Sequence, residues 1–234
     1  MVDDMDIPQE KPKRTRKPPK VLEHYYSADD GAVEIGVDEV GRGPMLGRVY
    51  SAAVILPKDE SFNHSLMKDS KRFHSKNKIM EAYDYIKEHS IAWSVGYSTE
   101  STIDDINIRN ATHRAMHEAI KGVIEPGKKI HLLVDGNDFK PYTIMNPDIG
   151  IVQVPTTCIE GGDDKYTAIA AASIIAKVTR DKYIADLCEE NPSLDEKYGI
   201  MSNKGYGTTT HMDGIRAYGI TKFHRRSFGI CREF

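Results

Sequence analysis

Acidic residues occur at three places where an apolar run ends or a helical run opens. Asp38 and Glu39 close VEIGVD and stand directly before the glycine-rich turn GRGPMLG. Asp135 closes LLVDG, and Asp163 and Asp164 open a long stretch rich in alanine and isoleucine. Ligand sites in α/β folds gather at strand ends, where loops converge on a rigid sheet. Carboxylates crowded there would repel one another and raise one another's pKa values. A hard cation such as Mg²⁺ or Mn²⁺ relieves that conflict, because it prefers carboxylate oxygen and water. Taken singly, each acid has a plainer reading: Asp-Gly is an ordinary turn pair, an Asp at a helix start is a common cap, and an Asp-Glu pair beside a turn is usually solvated. Only in combination do they describe a metal centre. Asp181 falls outside it, since eighteen residues along one helix from Asp163 it would stand about 27 Å away.

Other motifs fail on inspection. GVIEPGKK (122–129) nearly spells a phosphate-binding loop, but Lys129 stands where Ser or Thr must bind magnesium, and the segment precedes a strand. The GRGPMLG turn has Leu46 where a dinucleotide fingerprint needs its third glycine. His113 and His117 in HRAMH have a metal-ligand spacing, yet Arg114 occupies the place of the glutamate a zinc protease requires. We read both histidines as helix-surface residues.

The acids need a scaffold, and the alternation of patterns supplies an α/β one. Strands are expected at VEIGVD (33–38), VYSAAVIL (49–56), IAWSVGYS (91–98), KIHLLVDG (129–136) and IGIVQVP (149–155). Helices are expected over 76–89, where Ile79, Tyr83 and Ile86 recur at helical spacing, over 107–122, and from about Asp163 to Glu190. The last forty residues are turn-rich, with a short helix near Asp213–Tyr218. Strands alternating with helices argue for a central sheet with helices packed on it.

A chain of 234 residues holds one domain comfortably. We divide it into a disordered tail over residues 1–32 and a folded domain over 33–234, with about 190–234 as its C-terminal portion. The tail begins acidic and continues as KPKRTRKPPK, with six cations and three prolines in ten residues. Such a segment cannot bury apolar surface; it could touch phosphates, carry a nuclear address or simply be solvated. No apolar run spans a membrane, no apolar leader precedes the domain, and three cysteines without a CxxC pair suit a reduced, intracellular (cytoplasmic) protein. The net charge of −3 is low for a nucleic-acid binder, but charge distribution outweighs the sum, and a carboxylate centre offsets cations elsewhere.

Six blocks in order, IGVDEVGRGP (35–44), MKDSKRF (67–73), LLVDG (132–136), GGDDKYTAIAAASIIAKVTRD (161–181), NKGYGT (203–208) and HRRSF (224–228), resemble the type 2 ribonuclease H family, ribonuclease HII. The resemblance implies a ribonuclease-H-like α/β fold: a five-stranded mixed sheet flanked by helices, with a small helical C-terminal portion. It implies an Asp-Glu-Asp-Asp metal site, which maps onto Asp38, Glu39, Asp135 and Asp163. The family's fourth acid follows a glycine and precedes a residue and then lysine, which selects Asp163 over Asp164. Gly41, Arg42 and Gly43 match the turn that contacts the backbone around the ribonucleotide, and Tyr206 matches the tyrosine that packs on the nucleotide at the RNA–DNA junction. Both roles are physically sensible, since glycine admits close backbone approach and tyrosine offers a stacking face. The chain departs from the family at Gly161, where lysine is common, at Asp164, which adds a charge, and at Met45, Leu46 and Arg48.

The implied activity is hydrolysis of the RNA strand of RNA–DNA hybrids, and cutting at ribonucleotides embedded in duplex DNA, with two cations (Mg²⁺ or Mn²⁺) and 5′-phosphate and 3′-hydroxyl products. Asp38 is the expected bridging ligand. Lys71, Arg42, Lys204, Arg225 and Arg226 are candidates for phosphate contacts. A monomer is expected, without membrane contact and without an obvious sliding-clamp motif. The rivals are a junction-resolving nuclease of the same fold, which would share the acids but not GRG or NKGYGT, and a silent nucleic-acid-binding module, which would have lost a ligand.

Overall fold

The computed structural model describes residues 21–27, 31–73, 75–125, 127–147 and 149–234. Its centre is a five-stranded mixed sheet in the order β3-β2-β1-β4-β7. Strand β1 (Val33–Val40) pairs antiparallel with β2 (Val49–Ile55), and β2 likewise with β3 (Ala92–Ser98). On its other side β1 runs parallel to β4 (Ile130–Asp135), which runs parallel to β7 (Thr156–Ile159). The parallel pairs bring the ends of β1, β4 and β7 to one edge of the sheet, and Asp38 and Asp135 with them.

Both faces are covered, which is why β2 is buried along its whole length. Ala52 and Val54 face one layer, made by α1 (Lys76–His89) and α3 (Thr167–Glu190). Ala53, Ile55, Ile35 and Val37 face the other, where Met116, Ala119 and Ile120 of α2 (Glu100–Lys121) cover them. Helix α3 is buried nearly all round at its start, and its run of small residues, Ala168 and Ala170 to Ala172, lets its backbone come close to the sheet. Its C-terminal half packs Ile184, Leu187 and Cys188 against Leu194, Tyr198, Ile200 and Ile215. Those residues belong to α4 (Ser193–Tyr198), α5 (Ile200–Asn203) and α6 (Thr209–Tyr218), the helical C-terminal portion.

Four sequence expectations need correction. The run IGIVQVP does not form the fifth strand of the sheet. Gly150–Gln153 is β6, which among the described residues pairs only with β5 (Thr143–Asn146), in a separate hairpin that leaves Ile149 and Ile151 exposed. The sheet edge is instead Thr156–Ile159, whose hydroxyl-rich TTCI lacks the apolar alternation that marks a half-buried strand. Asp163 and Asp164 do not open α3; they lie in a 3₁₀ turn over Gly162–Asp164, and the helix starts at Thr167. Helix α2 begins earlier than expected, at Glu100, capped by Thr99, and breaks at Asn107, where the chain takes φ 66°. Finally, residues 21–27 are not part of a disordered tail. Leu22 is buried, the Glu23 N–H donates to Lys165 O (2.8 Å), and the Thr167 N–H donates to Glu23 O (2.9 Å). The reason is local: one apolar side chain finds the core, and the backbone before α3 offers unpaired groups. Residues 1–20, including the basic run, lie outside the described residues.

Candidate active site

Asp38 sits near the end of β1 with its side chain buried beside α3. Its Oδ1 accepts the Glu39 N–H (2.7 Å), its backbone O accepts Ser51 Oγ (2.7 Å), and the side chain takes a further hydrogen bond from Ser173 of α3. Ser173 Oγ lies 2.9 Å from Ser70 Oγ, which ties the 67–73 segment to the same place. Asp135, at the end of the adjacent parallel strand, accepts the Gly162 N–H on Oδ1 (2.7 Å). That bond sets the 3₁₀ turn carrying Asp163 against the end of β4. Glu39 leans toward Arg42, 3.5 Å away.

The electrostatics follow from this convergence. Burial raises the Asp38 pKa well above the ordinary carboxylate range, and the charges of Glu39 and Asp135 raise it further. Burial also raises Glu39; Arg42 opposes that shift and Asp135 adds to it. Asp163 is pushed up to about 6 by burial first, then by Asp135 and Asp69, against the pull of Lys71. Burial works against the Lys71 ammonium, but Asp163, Asp69, Asp38 and Asp135 outweigh it and raise its pKa. The four expected acids therefore act on one another at one end of the sheet. Among the described residues, no three acidic, histidine or cysteine side chains already close round a single point as a preformed cage. The reason is visible in the bonds: Asp38 and Asp135 each have an oxygen turned to a backbone N–H, and Glu39 faces Arg42. As donors, partly buried carboxylates whose pKa values are raised by mutual repulsion suit a hard divalent cation, which would take over as their counter-charge.

The expected substrate residues surround this end of the sheet on two loops. Gly41, at φ 91°, begins the turn; a Cβ there would meet Arg180 Nε at 2.4 Å. Arg42 and Gly43 are exposed. Tyr206, on the second loop, faces Gly43 and is 47% exposed, leaving its ring free to stack. The loops are bound together by Met45 N–H to Gly205 O (2.8 Å). Lys204 is half-buried, its carbonyl accepting from Arg180 Nη2 (2.9 Å).

Other sequence candidates land elsewhere. Arg225 is fully buried and cannot reach a phosphate; its guanidinium donates to Gly41 O (2.6 Å), Arg42 O (3.0 Å) and Gly47 O (2.8 Å). Burial and the nearby Arg180 lower its pKa to about 9, so it stays charged at neutral pH. Arg226 is exposed, and its N–H donates to Asp104. His113 is buried rather than at the helix surface, with Nε2 3.3 Å from Asp138 O, while His117 Nε2 lies 2.8 Å from Lys140 O. Asp181 pairs with Lys177. Asp164 pairs with Arg72 at 2.6 Å, which offsets the extra charge beside the site. The unusual residues after the turn are structural: Leu46 is buried and bridges to His224, and Arg48 lies between the rings of Tyr97 and Tyr183. Asp69 and Ser173 were missed by sequence reasoning, which did not single out either residue.

The ribonuclease HII family model matches residues 35–231. The chain belongs to the ribonuclease HII family. Ribonuclease HII of Parabacteroides distasonis is 43% identical over 206 residues, covering 88% of this chain and 94% of that protein. Ribonuclease HII of Bacteroides fragilis is 43% identical over 201 residues, covering 86% and 91%. As a member of that family the chain is a ribonuclease H, an endonuclease. Its fold is shared by the ribonuclease H2 of Pyrococcus horikoshii, with TM-score 0.65 at 23% identity over 86% of this chain and 95% of that one. It is shared as well by Bst-RNase HIII in complex with Mn²⁺, with TM-score 0.59 at 18% identity over 87% and 69%. Among the described residues no helix is long and apolar enough to cross a membrane.

Proposed function

We propose that this ribonuclease H cuts both hybrid duplexes and single ribonucleotides embedded in duplex DNA, by phosphodiester hydrolysis with two divalent cations, leaving 5′-phosphate and 3′-hydroxyl ends. The observation that carries the reading is the convergence of Asp38, Glu39, Asp135 and Asp163 at one sheet end, opposite the Gly41–Gly43 turn and Tyr206.

In this reading the four carboxylates would hold the cations, with Asp38 lying between Glu39 and Asp135. Bound there, Mg²⁺ or Mn²⁺ would supply the positive charge that favours an ionised attacking water and a departing 3′ oxygen. The Mn²⁺ complex of the RNase HIII sharing this fold is consistent with that donor set. Lys71, held charged by the surrounding acids, faces the scissile phosphate from the 67–73 segment. Backbone groups of the Gly41–Gly43 turn read the 2′-hydroxyl, with the exposed Gly43 admitting the sugar–phosphate backbone closely, while Arg42 and Lys204 neutralise flanking phosphates. Tyr206 stacks at the junction between ribonucleotide and deoxyribonucleotide. The domain assignment of residues 33–234 belongs to the same proposal, extended by the ordered segment 21–27.

The test is direct. Purified protein with Mg²⁺ or Mn²⁺ should nick a DNA duplex carrying one ribonucleotide, and EDTA or Asp38→Asn should abolish nicking. Full activity of Asp38→Asn overturns the assignment.

A further inference from the structure

The two substrate loops are joined from behind by a buried polar chain whose backbone groups at either end set the direction of its hydrogen bonds. His224 Nδ1 lies 2.9 Å from the Thr221 hydroxyl, which can donate or accept, and 2.9 Å from the Thr221 backbone N, which can only donate. His224 Nδ1 therefore accepts, and the neutral ring carries its proton on Nε2. That nitrogen lies 3.1 Å from His211 Nε2, which must then accept. His211 in turn carries its proton on Nδ1, which lies 3.0 Å from the Tyr206 carbonyl oxygen, a group that can only accept. A backbone donor at one end and a backbone acceptor at the other thus orient both imidazoles. Both rings are buried, at 0% and 2% exposed, so water does not compete for these bonds.

The far end of the chain is attached to the other loop. Leu46 bridges to His224, Gly47 N–H donates to Phe223 O (2.9 Å), and Arg225 N–H donates to Met45 O (2.8 Å). Arg225 then grips the carbonyls of Gly41, Arg42 and Gly47. Residues 223–225 are a strut, with the Gly41–Gly43 turn on one side and, through His211, the Tyr206 carbonyl on the other. Burial lowers the pKa of both histidines, which keeps them in the neutral forms that the bonding pattern demands.

We propose that His211 and His224 form a directed two-imidazole relay that holds Tyr206 in register with the Gly41–Gly43 turn, making both of them positioning residues for ribonucleotide recognition. This rests on the substrate roles proposed above for Tyr206 and the turn. Neither histidine touches substrate; each acts through the Tyr206 backbone.

Isosteric variants separate this from a merely structural role. In His211→Asn the side-chain amide stands where Nδ1 was and keeps the bond to Tyr206 but not the one to His224; in His211→Gln it stands where Nε2 was and keeps the bond to His224 but not the one to Tyr206. Each variant cuts one link of the relay, so on a duplex with one ribonucleotide each should lose about tenfold or more in kcat, beyond any loss of thermal stability. If either variant stays within about threefold of wild type, or loses activity only in step with its thermal stability, the relay is overturned. A second measurement needs no variant: ¹⁵N spectra of the imidazoles in the wild-type enzyme near neutral pH should report His224 protonated on Nε2 and His211 on Nδ1. The opposite tautomers, or a charged ring, would also overturn it. Wild type and Asp38→Asn run alongside keep the two ideas apart. Nicking by the wild type, its loss in Asp38→Asn and a His211 variant about as active as wild type would sink the relay alone; no nicking by the wild type sinks the broader assignment.

Discussion

Gly36 of β1 and Ala168 of α3 meet backbone to backbone: a Cβ on Gly36 would lie 2.2 Å from the Ala168 carbonyl carbon. The helix that supplies Ser173 to Asp38 is seated on the strand that supplies Asp38, with no side chain between them. Gly36→Ala must therefore push α3 off the sheet. We expect about 1–3 kcal/mol of destabilisation from overpacking, together with a loss of nicking larger than the loss of folded protein. Urea unfolding and activity per folded molecule check this, and unchanged activity would show that the site tolerates the displacement.

Asp163→Asn should separate stability from activity. A carboxyl whose folded pKa is raised to about 6 contributes stability below its ordinary value of 3.8 and loses it as pH rises through 6. At neutral pH in EDTA, the neutral amide should therefore stabilise the protein by about 1–2 kcal/mol, each kcal/mol raising Tm by about 2–4 °C. Nicking should be lost. A lower Tm in EDTA would contradict the repulsion described for this cluster.

Asp164→Ala should do little, in contrast to its neighbour. The Arg72–Asp164 pair has side chains 51% and 37% exposed, and such pairs contribute at most about 1 kcal/mol. We expect activity within about threefold of wild type. A loss matching that of Asp163→Ala would mean that the assignment of the fourth acid is wrong.

Tyr206→Ala should cost about 1–3 kcal/mol of transition-state stabilisation on a single-ribonucleotide substrate, a loss of about 5- to 150-fold in kcat/KM, because a base loses its stacking face. Tyr206→Phe keeps the ring and should retain most of it. Equal losses in the two variants would assign the role to the hydroxyl instead.

The buried histidine makes acid stability testable. Burial, reinforced by His211, lowers the His224 pKa from 6.5 to about 4. Between these values the unfolded chain binds a proton that the folded chain refuses. The contribution of His224 is therefore whole above pH 6.5 and lost as pH falls toward 4. Over that window it amounts to at most about 3.5 kcal/mol, from about 1.4 kcal/mol per pKa unit. Urea unfolding across the range should show a shallower decline for His224→Gln than for wild type; parallel curves would contradict it.

The elements that carry the acids were legible because their signals are local. VEIGVD and LLVDG are apolar runs ended by an acid, and Lys76–His89 has the spacing of a half-buried helix, matching α1 residue for residue. The edge strand Thr156–Ile159 was not legible, because its pairing depends on β4 lying alongside and not on its own pattern, whereas the apolar 149–155 run fell in a hairpin with Ile149 and Ile151 in solvent. That Asp38, Glu39, Asp135 and Asp163 would come together at one sheet end was an expectation open to the chain alone, through strand ends and the resemblance. What the chain alone did not decide is how those acids are held. Asp69 reaches Asp163 across ninety-odd residues, Ser173 reaches Asp38 from another element, and Arg225 proved to be a buried strut instead of a phosphate contact. A residue's type and its neighbours declare what chemistry it can do. Which partner it meets depends on packing between segments distant in the chain, and for Arg225 that packing made an expected surface cation the buried support of the Gly41–Gly43 turn.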